Sequence, residues 1–284
     1  MAVSGAIPEW FKQQYTDDVH EAFQQKGSKA MNTVRVETVD GSSVDFRRAG
    51  KGTATTKARH GTVPTMGINY DAVTATMADY YAGDWVDKLD ELKHRLNERQ
   101  TVANAGAYPL GRKVDTLIYT ALDALSSSGL TLTNALTVRN SLIEMRSVLD
   151  GYDVPDDGNV WCPCPPRLWN WLMVIPEFAS SDYTGPELPY RGAMGQAIKT
   201  WNRTNFFMAS PNVVPKTGNN RSIFMYHMTA VGLGKNEDIT VDITWHGDRA
   251  AHFVNHWMSM GAVVIDDEGC VKRTLDETGA LPTS

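Results

Sequence analysis

The alternation of apolar and polar residues changes period several times along this chain, and each change marks a different element. Residues 8–26 place Trp10, Phe11, Tyr15, Val19 and Phe23 at spacings near four, which predicts a short amphipathic helix closed by Gly27. The period then falls to two. Val34/Val36 and Val44/Phe46 alternate with polar residues on either side of Asp40-Gly41, the pattern of a two-stranded ribbon turning at a tight hairpin. From Asp84 it rises again: Trp85, Leu89, Leu92, Leu96 and Val102, then Val114, Leu117, Ile118, Ala121, Leu122 and Leu125, form the longest helical pattern in the chain. Pro109 lies inside it, and because an interior proline costs about 3 kcal/mol a kink or break is expected near Tyr108.

A second helix follows, capped by Thr131 or Thr133, with Leu136, Leu142, Ile143, Met145 and Leu149 inward and Gly151 past its end. Residues 160–164 read as a buried strand, and Pro165-Pro166 opens a helix carrying Leu168, Trp169, Leu172 and Met173. Residues 180–191 are a loop rich in breakers, 193–201 a helical stretch, and 205–209 a strand. Strands at 222–228, 239–245 and 251–265, the last with a break at Gly261, lead to a turn at 266–269 and a closing strand at 271–275. The whole is an α+β pattern without internal repeats.

The ribbon region is the anomaly. Across 35–64 the sizeable hydrophobes are Val36, Val39, Val44, Phe46 and Val63, too few to hold a structure alone, since an isolated two-stranded ribbon is marginal in water. Residues 68–81 form a plausible return leg, and two legs of about fifteen extended residues at roughly 3.3 Å each reach about 50 Å from the body. Such a segment stays disordered or lies on another surface, and a second copy of the chain is one such surface.

Composition narrows the class. At 284 residues, 42% hydrophobic and 21% charged, the chain has material for a substantial core and is not generally disordered. No apolar run reaches about eighteen residues and the opening stretch lacks the form of a signal peptide, so a soluble chain retained in the cytoplasm is expected, with no membrane partner. Cys162, Cys164 and Cys270 are an odd set, read as reduced structural cysteines. Net charge is −6, which repels nucleic acid overall. The distribution is uneven: Arg47, Arg48, Lys51, Lys57 and Arg59 occur with no acid among them, while Asp79, Asp84, Asp87, Asp90 and Glu91 follow closely. A basic arm and an acidic segment in one chain can pair between copies. The arm lacks interleaved aromatics for stacking on bases, which favours a subunit-facing loop over a nucleic-acid contact.

Catalytic signals are weak. His246, His252 and His256 raise a metal-dependent enzyme as an alternative, with His252 and His256 on one face if the segment were helical, but its composition reads as strand and no HExxH is present. Gly50-Lys51-Gly52 and Gly232-Leu233-Gly234 do not continue as phosphate loops and are read as turns. No GxSxG signature occurs, and no cofactor is expected.

In order, the pieces are an N-terminal arm, a long polar hairpin, an acid-led long helix, a central α/β segment with a breaker-rich loop, and late strands. The stretches FQQKGS, PLGRKVDTLIYTAL, DVPDDGNVWCPCPPRLWNWL, FMYHMTAVGLGKNEDI and MGAVVIDDEGCVKR stand in that order. The chain thereby resembles, over nearly its whole length, the major capsid proteins of tailed bacteriophages, the Hong Kong 97-like coat fold of the phage capsid-like family. Pro109 departs from that family's usually uninterrupted spine helix, and a long scaffolding segment before the arm is not expected, its place being taken by a separate scaffolding protein.

The resemblance implies residues 1–31 as N-terminal arm, 32–80 as an extended E-loop over the neighbouring subunit, 81–130 as peripheral domain with spine helix, 131–235 as axial domain, and 236–284 as peripheral strands and C-terminus. It implies hexamers and pentamers of an icosahedral head, assembled in the host cytoplasm and becoming the virion shell. The implied partners are other copies, a separate scaffolding protein, a portal protein, a decoration protein and double-stranded DNA held non-specifically. No catalysis is implied. Arg47, Arg48, Lys51, Lys57 and Arg59 are expected in inter-subunit ion pairs, with Asp84, Asp87, Asp90 and Glu91 as acceptors. A cellular nanocompartment shell of encapsulin type is the alternative within the same fold.

Overall fold

A computed structural model describes residues 25–89, 98–133, 135–179 and 198–278. Residues 8–24 of the expected helix and the loop at 180–191 lie outside the described residues. The strands and helices, in order, are β1 (Arg35–Thr38), β2 (Ser43–Ala49), β3 (Tyr70–Thr76), β4 (Ala78–Asp87), α1 (Glu98–Asp123), β5 (Ser127–Leu132), α2 (Ala135–Gly151), β6 (Val160–Cys164), α3 (Pro166–Leu172) and α4 (Pro176–Ala179). They continue as β7 (Ile198–Trp201), β8 (Thr204–Met208), β9 (Lys216–Thr217), β10 (Asn220–His227), β11 (Val231–His246), β12 (Ala251–Val264) and β13 (Cys270–Asp276).

Two sheets make the body. One, of four strands, runs β1-β11-β12-β4; the other, of seven, runs β5-β13-β10-β6-β8-β7 with β9 also on β10. Strand β10 shows why the body holds together. Its Phe224 and Tyr226 point into a core built on Val114, Ile118, Tyr119 and Leu122 of α1, while Ile223 and Met225 point into a second core built on Leu142, Met145 and Leu149 of α2. Both faces are dry, so the strand reads as a continuous apolar run. The closing strand β13 lies beside β10 and joins the seven-stranded sheet, not the four-stranded one.

Several expectations need correction. The segment from Asp84 to Asp87 is strand, not helix: β4 pairs with β12 through Asp87, so the helix-like spacing of Trp85 and Leu89 is coincidental. The expected hairpin at Asp40-Gly41 does not form, because β1 pairs in parallel with β11, Val36 opposite Leu233, and β2 pairs instead with β3, Phe46 opposite Val73. Helix α1 passes through Pro109 without a break. Packing on both sides holds it there, Gly106 lying against the His256 ring of β12 and Gly111 against the backbone at Gly27. On α2 the inward stripe is Val138, Leu142, Met145 and Leu149, whereas Leu136 and Ile143 face solvent. Residues 198–201 form β7, a hairpin with β8 turning at Asn202 and Arg203, both at positive φ. Strand β11 starts at Val231, eight residues earlier than expected, and β12 is continuous through Gly261.

The segment before β1 is fastened to α1 by one buried carboxylate. Asp115 accepts the backbone N–H groups of Lys29 and Ala30, the Ser28 hydroxyl and the Gln25 side-chain amide. Thr33 adds a 2.6 Å hydroxyl pair with Tyr226, whose phenol burial pushes above its ordinary range.

Candidate assembly surface

The ribbon of β2 and β3 is anchored at its root by its own body. Phe46 is 1% exposed and packs with Ala75 and Ile265. Its ring rests on β11 where residue 232 is glycine; a Cβ there would lie 2.6 Å from the ring. Two residues along, Gly234 receives Val44 and Met77, and across the ladder Gly261 meets the Thr76 carbonyl. These three glycines form a platform without side chains, which lets a ribbon lie flat on the sheet. The Gly232-Leu233-Gly234 stretch, read from sequence as a turn, is therefore a landing surface inside a strand.

Ion pairs reinforce the root. Arg48 reaches Asp71 at 3.4 Å and Asp266 at 3.5 Å, and Lys51 donates to Glu268 at 2.9 Å and to the Tyr152 carbonyl at 3.0 Å. A cleft of about 480 Å³ opens there, lined by Arg48, Lys51, Asn69, Asp71, Asp266 and Glu268. Two of the five cations expected to reach other subunits are thus engaged within their own chain. The side chains of these pairs are 43% to 68% exposed, so they orient the ribbon without adding much stability.

Beyond Lys51 the loop is bare. Residues 51–66 are exposed throughout, among them Val63 at 70% and Met66 at 52%. Lys57 donates to the Gly61 carbonyl, closing a small turn in which His60 has φ of 66°. Arg47, Lys57 and Arg59 meet no carboxylate among the described residues. The two described acceptors, Asp84 and Asp87, sit on exposed positions of β4 and, among the described residues, accept the nearby N–H groups of Trp85 and Leu89. Asp90 and Glu91 lie outside the described residues. Among the described residues the basic and acidic groups are therefore not joined to each other.

The three histidines do not converge. His252 and His256 lie four strand positions apart, about 13 Å along β12. His246 packs against Trp85 and Phe253, whereas His252 packs against Trp245. His256 is buried, with Nδ1 3.0 Å from the Ala82 carbonyl and Nε2 2.7 Å from the Ala103 carbonyl, so both nitrogens face backbone acceptors and neither is turned to a metal. Among the described residues no three histidine, cysteine, aspartate or glutamate side chains are grouped to hold a metal ion. The cysteines are free and buried, and burial pushes the Cys164 and Cys270 thiols well up, away from nucleophilic use. No helix among the described residues is long and apolar enough to cross a membrane.

The glycine platform, the Asp115 anchor and the acidic edge of β4 were not read from the sequence. For the platform a signal existed: two glycines at period two inside an apolar run mark close approach of another backbone.

A family model described as phage capsid protein matches residues 7–277. The chain belongs to that family. As a phage capsid protein it is a structural component of a virion, and it has the α+β fold of the Hong Kong 97-like coat proteins. The fold is shared with a solved chain of Mycobacterium phage Che8, at TM-score 0.71 and 15% identity, covering 97% of this chain and 100% of that one. It is shared also with the capsid structure of the cyanophage P-SCSP1u, at 0.70 and 16%, covering 93% of each chain. The capsid of Myoviridae phage XM1 is similar at 0.66 and 11%, covering 95% of this chain and 99% of that one. No curated protein matches the capsid chain by sequence. The encapsulin-type and metal-enzyme alternatives are not favoured by these similarities.

Proposed function

We propose that this capsid protein is the major coat subunit of a tailed-phage head, forming hexamers and pentamers of an icosahedral shell around double-stranded DNA. One observation carries the reading beyond family membership: the ribbon is fixed at its root by Phe46 and the glycine platform, while its tip projects with exposed Val63, Met66 and cations that have no carboxylate partner among the described residues. A fixed root with an uncovered tip suits a finger that lies on a neighbouring subunit. Covering about 400 Å² of apolar surface would contribute on the order of 10 kcal/mol gross before ordering costs, and each subunit repeats the contact around the shell.

In this reading Arg47, Lys57 and Arg59 face the neighbour, with Asp84 and Asp87 as acceptors and Asp90 and Glu91 extending the acidic set. The four-stranded sheet with α1 serves as peripheral body and α2 with most of the seven-stranded sheet as axial body. Assembly takes place in the host cytoplasm with a separate scaffolding protein and a portal, and a decoration protein is compatible with the shell. The subunit performs no catalysis. DNA is enclosed without sequence preference, retained by the closed shell and not by attraction to the subunit, whose net charge of −6 repels it.

Light scattering and electron microscopy test the proposal directly. The purified chain is expected as particles of megadalton size or to form them with its scaffold, and Lys57→Glu with Arg59→Glu is expected to leave the subunit folded by circular dichroism but to stop closed shells. A normal yield of shells from that double variant would reject the assigned contact, and a chain that remains a small oligomer under all assembly conditions would reject the coat reading itself.

A further inference from the structure

The four-stranded sheet ends in β4, and no strand lies along the outer edge of β4 among the described residues. In an antiparallel ladder alternate residues turn both backbone groups away from the partner strand. Trp85 belongs to that outward set, because its N–H donates to the side chain of Asp84 at 2.8 Å, and Tyr81 and Gly83 share its parity. A ten-residue edge with unpaired outward amides is a template for another strand. It carries Asp79, Asp84 and Asp87 and no lysine or arginine, with Tyr81 69% and Trp85 38% exposed; Lys88 and Arg249, the latter stacked on Trp85 at 4.4 Å, are the cations at its end. The other edge is less suited, since β11 beyond β1 is interrupted by two register shifts and pairs its own Lys235 with Asp238.

A complementary segment exists in the same chain. Residues 51–57 belong to no helix or strand, and no backbone hydrogen bond ties them to the described residues; a bond from the Gly61 N–H to the Ala58 carbonyl closes the turn that follows. Lys57, Arg59 and His60 follow with no acid, and Val63 and Met66 lie just beyond. Residues 52–60 span about 30 Å when extended and the β4 edge about 33 Å, at roughly 3.3 Å per residue. We infer that residues 52–60 of one copy, with the Ala58–Gly61 turn opened, add as a fifth strand to the β4 edge of a second copy, backbone to backbone, with Lys57 or Arg59 beside Asp87 on the face that also carries Tyr81 and Trp85. This rests on the coat-protein reading and specifies its contact: the partner surface is a sheet edge, and the cations set register on it while the amides provide the bonds.

Amide hydrogen exchange on assembled shells against the unassembled chain distinguishes this from contact through side chains alone. Exchange is expected to slow by about tenfold or more in peptides covering both 52–60 and 78–87. Shells whose two segments exchange as fast as in the unassembled chain would overturn the strand addition while leaving the coat reading intact. Slowing in 78–87 without 52–60 would assign the edge to another occupant, and slowing in 52–60 alone would assign the loop to another surface; either overturns it. Absence of shells would overturn both readings. Proline gives a second measurement, because only alternate amides of an added edge strand donate. Thr53→Pro with Thr55→Pro and Ala54→Pro with Thr56→Pro are expected to differ, one pair blocking shells and the other tolerated, and equal behaviour of the two pairs would overturn the inference.

Discussion

The root and the tip of the β2/β3 ribbon belong to the same hairpin but obey different rules. At the root Phe46 is 1% exposed on a platform of Gly232, Gly234 and Gly261; at the tip Val63 is 70% exposed and its cations face water. The root is thus a property of the folded chain, and the tip has no structural role until something else arrives. From sequence the whole stretch looked too poor in apolar residues to be held by its own molecule, and that holds only beyond Lys51. One phenylalanine suffices for the root because the surface beneath it was cleared of side chains.

The largest effect expected from breaking this contrast is at Phe46. Phe46→Ala removes the main side chain of the small core with Ala75 and Ile265 and should lower stability by about 3 kcal/mol in denaturant unfolding. It should also open the ribbon to protease between Ala49 and Tyr70. If the loss stays below about 1 kcal/mol, the root is not anchored in the way its burial implies.

Next is Gly261→Ala. The added Cβ meets the Thr76 carbonyl, a backbone atom that cannot rotate aside, so the return leg must lift from β12. A cost of about 2 kcal/mol is expected from overpacking of this kind, with the seven-stranded sheet unaffected. An unchanged unfolding midpoint would mean that the ribbon floats over the sheet, and root and tip would then be alike.

The tip should respond in the opposite sense. Val63→Ser with Met66→Ser removes two of the exposed apolar side chains of the loop and should change the stability of the isolated subunit by no more than about 0.5 kcal/mol. Shell yield should fall all the same. A destabilised subunit would show that the tip folds onto its own body, and an undiminished yield would show that its apolar residues touch nothing in the shell.

How much of this was legible depends on whether the signal is local. Strands β6, β10 and β13 and helix α3 were read correctly because apolar runs bounded by Pro165-Pro166, Gly158 or the 266–269 turn carry their own punctuation. The parallel pairing of β1 with β11, about two hundred residues distant, leaves no local trace, so Val34 and Val36 were assigned to the nearest alternating neighbour. Strand β4 was lost to a coincidence: Trp85 and Leu89 are spaced as on a helix, while Val86 is the residue that turns inward. The basic and acidic sets were visible as composition. Their division was not, since nothing in the order of residues tells that Lys51 and Arg48 meet Glu268 and Asp266 at home while Lys57 and Arg59 do not.

Between root and tip stands Lys51, and the smallest effect belongs there. Its ammonium bridges Glu268 and the Tyr152 carbonyl, joining the ribbon to two other parts of the body, but it is well exposed. Glu268 raises the Lys51 amine above its ordinary value, chiefly by the direct hydrogen bond. A raised lysine favours the folded arrangement at pH values below its unfolded value of about 10.4, and that contribution is lost as the pH climbs through the higher folded value. Glu268→Gln removes the charge and keeps the shape. It should leave the unfolding midpoint unchanged near neutral pH, yet increase amide exchange in residues 50–52, and high salt should reproduce the change in the unaltered chain. A clear loss of global stability would place Lys51 with the buried root; no change in local exchange, with or without salt, would place it with the free tip.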